Sequence, residues 1–110
     1  MKSCYRLKKN YQYNYVYKHA QVVSDQNFVL LYCKSNRPQS QVGFSIGKKY
    51  GHAVARNRLR RQMKAAVSFI MPTVASGFNV VLVPRKNEPY LFCDIEQSVR
   101  NLFEKAGLMS

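Results

Sequence analysis

The stretch from Gly47 to Lys64, GKKYGHAVARNRLRRQMK, limits what the chain can fold into more than any other. At roughly 100° per residue, Leu59, Met63, Ala66, Val67 and Ile70 fall on one apolar stripe of a helix that starts near Ala53 to Arg56 and ends before Pro72. Such a stripe needs a core to sit on. Arg56, Asn57, Arg60, Arg61 and Lys64 project from the neighbouring sector, about a third of a turn away, while Arg58 stands apart from them. Lys48 and Lys49 precede the helix on a glycine-bounded loop. A solvated basic face would carry Glu or Asp at i±4 to pair its cations, and the stretch contains no acid at all. Like charge at this density opposes folding, and a polyanion is the partner that relieves it.

The rest of the chain agrees with that partner. Eighteen Lys and Arg against five Asp and Glu give a formal charge of +13 over 110 residues, which favours nucleic acid over an anionic membrane surface. The length suits one domain, residues 1–110, with a basic, aperiodic arm over residues 1–9. Six Phe and eight Tyr exclude a disordered tail and add rings that can stack on unpaired bases. Cys4, Cys33 and Cys93 are odd in number and form no C-x-x-C pair, so a disulfide framework or a zinc site is not expected and a reducing, cytoplasmic setting is. The N-terminus lacks an apolar signal region, and no run reaches the ~18 apolar residues of a membrane span.

Along the chain, Asn10 offers an N-cap for a helix through about His19. On it Tyr13 and Tyr17 share one face and Tyr11 and Tyr15 another. Four tyrosines cannot all be buried in one helix, so at least one pair is left for stacking. A short strand is expected at 21–24, a turn at Asp25–Asn27, and a strand apolar on both faces at 28–33, hence central. Val42, Phe44 and Ile46 alternate with Gly43, Ser45 and Gly47, and this strand is expected to form a hairpin with 28–33. The two glycines suit either a close approach of another backbone or a phosphate, or a bulge. After the basic helix come an apolar strand at 78–83 and a last helix near 91–105, buried through Phe92, Ile95, Val99, Leu102 and Phe103. The order α-β-β-β-α-β-α gives an α+β domain with one small sheet. If strands 42–47 and 78–83 are parallel, the crossover through the basic helix is right-handed by default.

Catalysis by the chain itself finds little support. Two-metal hydrolysis needs clustered carboxylates, and four of the five acids lie in the last segment. His19 and His52 have no feature linking them as an acid–base pair. Gly47-Lys48-Lys49 lacks the rest of a phosphate loop. Binding of RNA by phosphate contacts and base stacking remains.

The run from Phe44 to Arg61, FSIGKKYGHAVARNRLRR, resembles the signature of the bacterial ribonuclease P protein subunit: an apolar strand, a Lys-Lys step, Gly-x-Ala-Val, then Arg56-Asn57-Arg58 with further basic residues. The likeness extends from Arg6-Leu7-Lys8-Lys9 to Leu102-Phe103-Glu104-Lys105. It implies a two-layer α-β sandwich with a left-handed βαβ crossover of the kind found in a ribosomal protein domain, against the default above. It also implies a subunit that assists a catalytic RNA in removing the 5′ leader of precursor tRNA, with Mg²⁺ held mainly by the RNA. The partners are then the ribonuclease P RNA and precursor tRNA, with no membrane and no obligate protein partner. Residues implied for the RNA subunit are Lys48, Lys49, Arg56, Asn57, Arg58, Arg60, Arg61 and Lys64, and for the leader Tyr13 and Tyr17. A strand aromatic that often lines the leader cleft in the family corresponds here to Leu31, flanked by Tyr32. The competing readings are a basic ribosomal or other RNA-binding module outside any enzyme, and a DNA-binding domain, for which no helix-turn-helix spacing is present.

Overall fold

Strand 78–83 decides the architecture, because neither of its faces can be left in water. A computed structural model of the chain describes residues 5–109, with the order α1 (Asn10–His19), β1 (Gln21–Ser24), β2 (Phe28–Lys34), β3 (Gln41–Phe44), a 3-10 turn (Lys48–Tyr50), α2 (Ala53–Ile70), β4 (Phe78–Pro84) and α3 (Phe92–Lys105). The four strands form one sheet in the order β1-β2-β4-β3. Val80, Val81 and Leu82 of β4 are fully buried. Val80 and Leu82 meet the main core with Leu59, Met63 and Val67 of α2 and Ile95, Val99 and Phe103 of α3. Val81 faces the other way, against Val16 of α1 and Leu7. Helices α2 and α3 therefore form the main helical layer of an α-β sandwich, and α1 lies across the opposite face.

The expected hairpin between the second and third strands does not form. β2 pairs antiparallel with β4, from Phe28 opposite Pro84 to Lys34 opposite Phe78, and with β1, from Gln21 opposite Tyr32 to Ser24 opposite Val29. β3 is instead parallel to β4 at the sheet edge. The two seven-residue apolar strands bury most when adjacent, and the shorter β3, with Gly43 inside it, goes to the rim. β3 also stops at Phe44, so Ile46 packs against the core from outside the strand.

The hand of the β3-α2-β4 unit follows from chirality. In a strand of L-residues running upward, a residue whose side chain points at the viewer has its C=O pointing right. Leu82 points at α2 and α3, and its carbonyl accepts from Ser45 N–H of the chain leaving β3 (3.0 Å). Viewed from the α2 side, β3 therefore lies to the right of β4, and the chain moves leftward through α2. Val42 agrees: it points the same way, and its carbonyl faces outward to Leu7 N–H (3.1 Å). The crossover is left-handed, against the general preference for right-handed ones.

Three local expectations change. α1 is capped by Lys9 rather than Asn10, and Gln12 Oε1 reaches back to the N–H groups of Lys9 (3.1 Å) and Lys8 (3.3 Å). The arm expected over residues 1–9 is not free where described: Arg6 bridges to Val42 on the outer edge of β3, and Leu7 is buried. Its first four residues, Cys4 included, lie outside the described residues. In α3, Phe92 is 37% exposed, while Ser98 is buried among the apolar residues and its hydroxyl accepts from Asn27 Nδ2 (2.8 Å). The stripe expected on α2 is buried as a set.

At Gly43 a side chain of α1 packs directly on the sheet. A Cβ there would lie 2.5 Å from the Tyr13 hydroxyl oxygen and about as close to the ring, so the glycine is explained by this approach, not by a bulge. Gly43→Ala is expected to lower stability by about 1 kcal/mol through overpacking. Adding Tyr13→Ala should recover most of that loss in urea unfolding. Losses that simply add would show that the ring does not rest on this glycine.

Candidate nucleic-acid interface

The eight cationic-band residues expected to meet RNA do not form one flat patch. Asn57, Arg60, Arg61 and Lys64 of α2 line a shallow groove of ≈ 410 Å³ together with Val54. Asn57 Oδ1 accepts from Arg60 Nη1 (3.0 Å), which steadies the guanidinium. Arg56 is partly buried, and its Nε is sealed from solvent with no hydrogen-bond partner. Arg58 lies on a different side of α2, where it lines a hollow with Tyr50, Pro89 and Tyr90. Lys48 and Lys49 are exposed on the 3-10 turn that precedes α2. A ladder of rings fixes that turn: Tyr50 stacks on Tyr90 (6.5 Å between centroids, 17°), and Tyr90 on Phe28 (5.0 Å, 16°). The Tyr90 hydroxyl donates to Asn27 O (2.7 Å). Gly51, at φ 154°, then turns the chain into α2.

Charge is crowded at one end of this band. Lys64 is held below the usual lysine range by burial first, and then by the neighbouring guanidinium groups of Arg6 and Arg60. Arg6 comes from the segment paired to the edge of β3. Nothing in the local pattern of residues 5–9 signals this meeting, because it depends on which strand forms the sheet edge.

A second surface lies on α1. Tyr13 and Tyr17 (6.5 Å between centroids, 44° between planes) form a cleft of ≈ 430 Å³ with Asn10, Asn14, Phe44 and Ser45. Burial pushes the Tyr13 phenol above its ordinary pKa, while hydrogen bonding at Phe44 and the charges of Arg60 and Arg6 pull the other way. The aromatic cleft and the cationic groove therefore adjoin around the edge of β3. Leu31 is not in the cleft wall; it is partly buried beneath α1, packed against the Val16–Val81 cluster. Tyr32 points to the opposite face and donates to Gln21 Oε1 (2.8 Å). Asn10, Asn14 and Ser45 are cleft residues with no distinguishing signal in the sequence. Of the two histidines, His19 is engaged by the Tyr15 ring at 4.3 Å, and His52 is the residue before α2.

Among the described residues no three His, Cys, Asp or Glu side chains come together. No helix among them is long and apolar enough to cross a membrane.

A lysine whose pKa is lowered by folding destabilises the fold while charged, and stability is regained as it discharges through that lowered value. Lys64→Gln is therefore expected to raise the urea midpoint of the free protein near neutral pH. It should also reduce the salt dependence of RNA binding by roughly 0.7–0.9 in slope. The gain should fade as pH rises toward the ordinary lysine value of about 10.4. Tyr13, Tyr50 and Tyr90, all raised chiefly by burial, lose stability through that alkaline range, so the difference between wild type and variant is the quantity to follow. A lower midpoint for the variant would contradict the crowding.

Comparison with known proteins matches this geometry to one family. The family model for Ribonuclease P matches residues 1–107. The ribonuclease P protein component of Symbiobacterium thermophilum is 35% identical over 111 residues, covering 99% of this chain and 96% of that protein. That of Clostridium kluyveri is 36% identical, covering 94% and 96%. Among solved structures, the RNase P protein of Staphylococcus aureus superposes with a TM-score of 0.86 at 23% identity, covering 96% of this chain and 98% of that one. The RNase P protein of Thermotoga maritima gives 0.82 at 25%, covering 91% and 96%. The chain belongs to the ribonuclease P protein component family.

Proposed function

We propose that the two adjoining surfaces divide the work of a ribonuclease P protein subunit, one docking the RNA subunit and the other holding the 5′ leader of precursor tRNA. As a family member the chain is part of an endoribonuclease holoenzyme and acts with the ribonuclease P RNA in tRNA processing. The chemistry of leader removal falls to the RNA. Among the described residues no three metal-binding side chains come together, and Mg²⁺ in this reading is held by RNA phosphates.

In this reading Lys48, Lys49, Arg56, Asn57, Arg58, Arg60, Arg61 and Lys64 face the RNA subunit. Several phosphates are neutralised at once, and the planar guanidinium groups can contact them in pairs. Tyr13 and Tyr17 stack on unpaired leader bases, with Asn10, Asn14 and Ser45 near enough to contact their edges or the backbone. Leu31 contributes from beneath α1, by supporting the helix rather than touching the leader. The observation that carries the proposal is the seat of Tyr13: its ring lies on Gly43, and the charges of Arg60 and Arg6 act on its hydroxyl. That seat joins the aromatic and cationic surfaces in one path around the edge of β3, so a leader held there stays beside the docked RNA. The work would be done in the bacterial cytoplasm.

In a holoenzyme assembled with ribonuclease P RNA, Tyr13→Ala with Tyr17→Ala is expected to weaken binding of precursor tRNA at least fivefold, from ~1 kcal/mol or more per stacked base. Mature tRNA should be bound nearly as before. Equal losses for precursor and mature tRNA would assign these rings to general RNA contacts or to packing.

A further inference from the structure

The tyrosines on the other flank of α1 take no part in the surfaces above. Tyr11 is 66% and Tyr15 52% exposed, far more than packing against the sheet would leave. They open onto a separate cleft of ≈ 490 Å³, within the usual size of small-ligand sites, whose cationic walls are Lys34 and Arg37 from the end of β2 and the following loop. Its floor is polar. Gln12 is fixed there, donating from Nε2 to Gln41 Oε1 (3.3 Å) and accepting from the Lys9 N–H on its own Oε1. Asn79 of β4 also lines the cleft; it is 8% exposed, and its side-chain oxygen has no hydrogen-bond partner. No Asp or Glu lines this cleft. Exposed rings, two cations and amides at the base match the faces, phosphates and edges of unpaired nucleotides.

The two clefts lie on different flanks of α1 and share no lining residue; Asn10 borders the first and its chain neighbour Tyr11 the second, so a strand passing from one to the other would cross the first turn of the helix. The approach to that turn is lined by Lys8 and Lys9. We infer that Tyr11, Tyr15, Lys34 and Arg37 form a second single-strand RNA site, which takes the bases of a leader that continues past the Tyr13/Tyr17 cleft and across the start of α1. The occupant is thus the distal part of the same substrate strand, and the inference rests on the leader reading above. One consequence is a dependence on leader length: a strand that fills only the first cleft gains nothing from the second.

The test uses the holoenzyme with two precursor tRNAs, one with a leader long enough for the first cleft and one with a leader twice that length. Wild type should bind the longer leader roughly fivefold or more tightly, one stacked base being sufficient for that. Tyr11→Ala with Tyr15→Ala should abolish this gain and leave the short-leader affinity unchanged. Lys34→Ala with Arg37→Ala should reduce the gain and lower its salt slope by roughly 0.7 per lost contact. Tyr13→Ala with Tyr17→Ala should weaken both substrates, and if it weakens neither, the leader reading itself has failed. In that case a labelled single-stranded RNA bound to the protein alone still reports on the second cleft, through its loss in the Tyr11/Tyr15 variant. Three results would overturn the inference: no gain with length in wild type, a gain that survives both variants of the second cleft, or a loss in those variants of RNA-subunit affinity instead, which would make the RNA subunit the occupant.

Discussion

The structure depends on β4 being buried on both faces. Val80, Val81 and Leu82 are each inaccessible to solvent, and fully burying side chains of this kind is worth about 1.5–3 kcal/mol each. That burial requires helices on both sides. On one side α2 and α3 supply it, and seating the apolar stripe of α2 leaves its cations facing outward. On the other side α1 supplies it through Val16, and a narrow helix seated by so few residues leaves tyrosines exposed along both flanks. The cationic and aromatic surfaces are thus the outer sides of elements whose inner sides cover one strand.

The position of β3 connects them. As the edge strand parallel to β4, it brings α2 around one side and receives Tyr13 on Gly43 from the other. Arg6, paired along its outer edge, adds charge where the two surfaces meet. The left-handed passage from β3 through α2 puts the basic helix on this edge. The cost is electrostatic. Arg6, Arg60 and Lys64 crowd together where the sequence of α2 supplies no acid, so the free protein carries repulsion that a phosphate backbone removes.

Local patterns in the sequence predict local features of this structure well. The apolar stripe on α2 is buried residue for residue, and the separation of Arg58 from the other arginines follows from helical phasing alone. Helix and strand positions hold within a few residues, because periodicity and the bounding Gly, Pro and Asn residues are local. Features set by pairing were not legible in the same way. The hairpin expected between β2 and β3 ignores competition from β4, whose apolar content makes it the better neighbour for β2. The burial of Leu7 and the place of Arg6 depend on β3 being an edge. Gly43 could be recognised as unusual from its position in a strand, but only the seat of Tyr13 gives its reason. The two tyrosine pairs were visible at i, i+4, whereas the cations beside Tyr11 and Tyr15 come from the end of β2 and the loop after it, far along the chain.

The central claim is that this small basic domain serves a catalytic RNA, and reconstitution measures it most directly. The protein, shown to be folded by circular dichroism, is mixed with ribonuclease P RNA, and cleavage of precursor tRNA at low Mg²⁺ is compared with that by the RNA alone. The account predicts faster release of the 5′ leader with the protein present, and loss of that effect when Arg56, Arg58 and Arg60 are replaced together. No stimulation by the folded protein, or full stimulation by the triple variant, would contradict it.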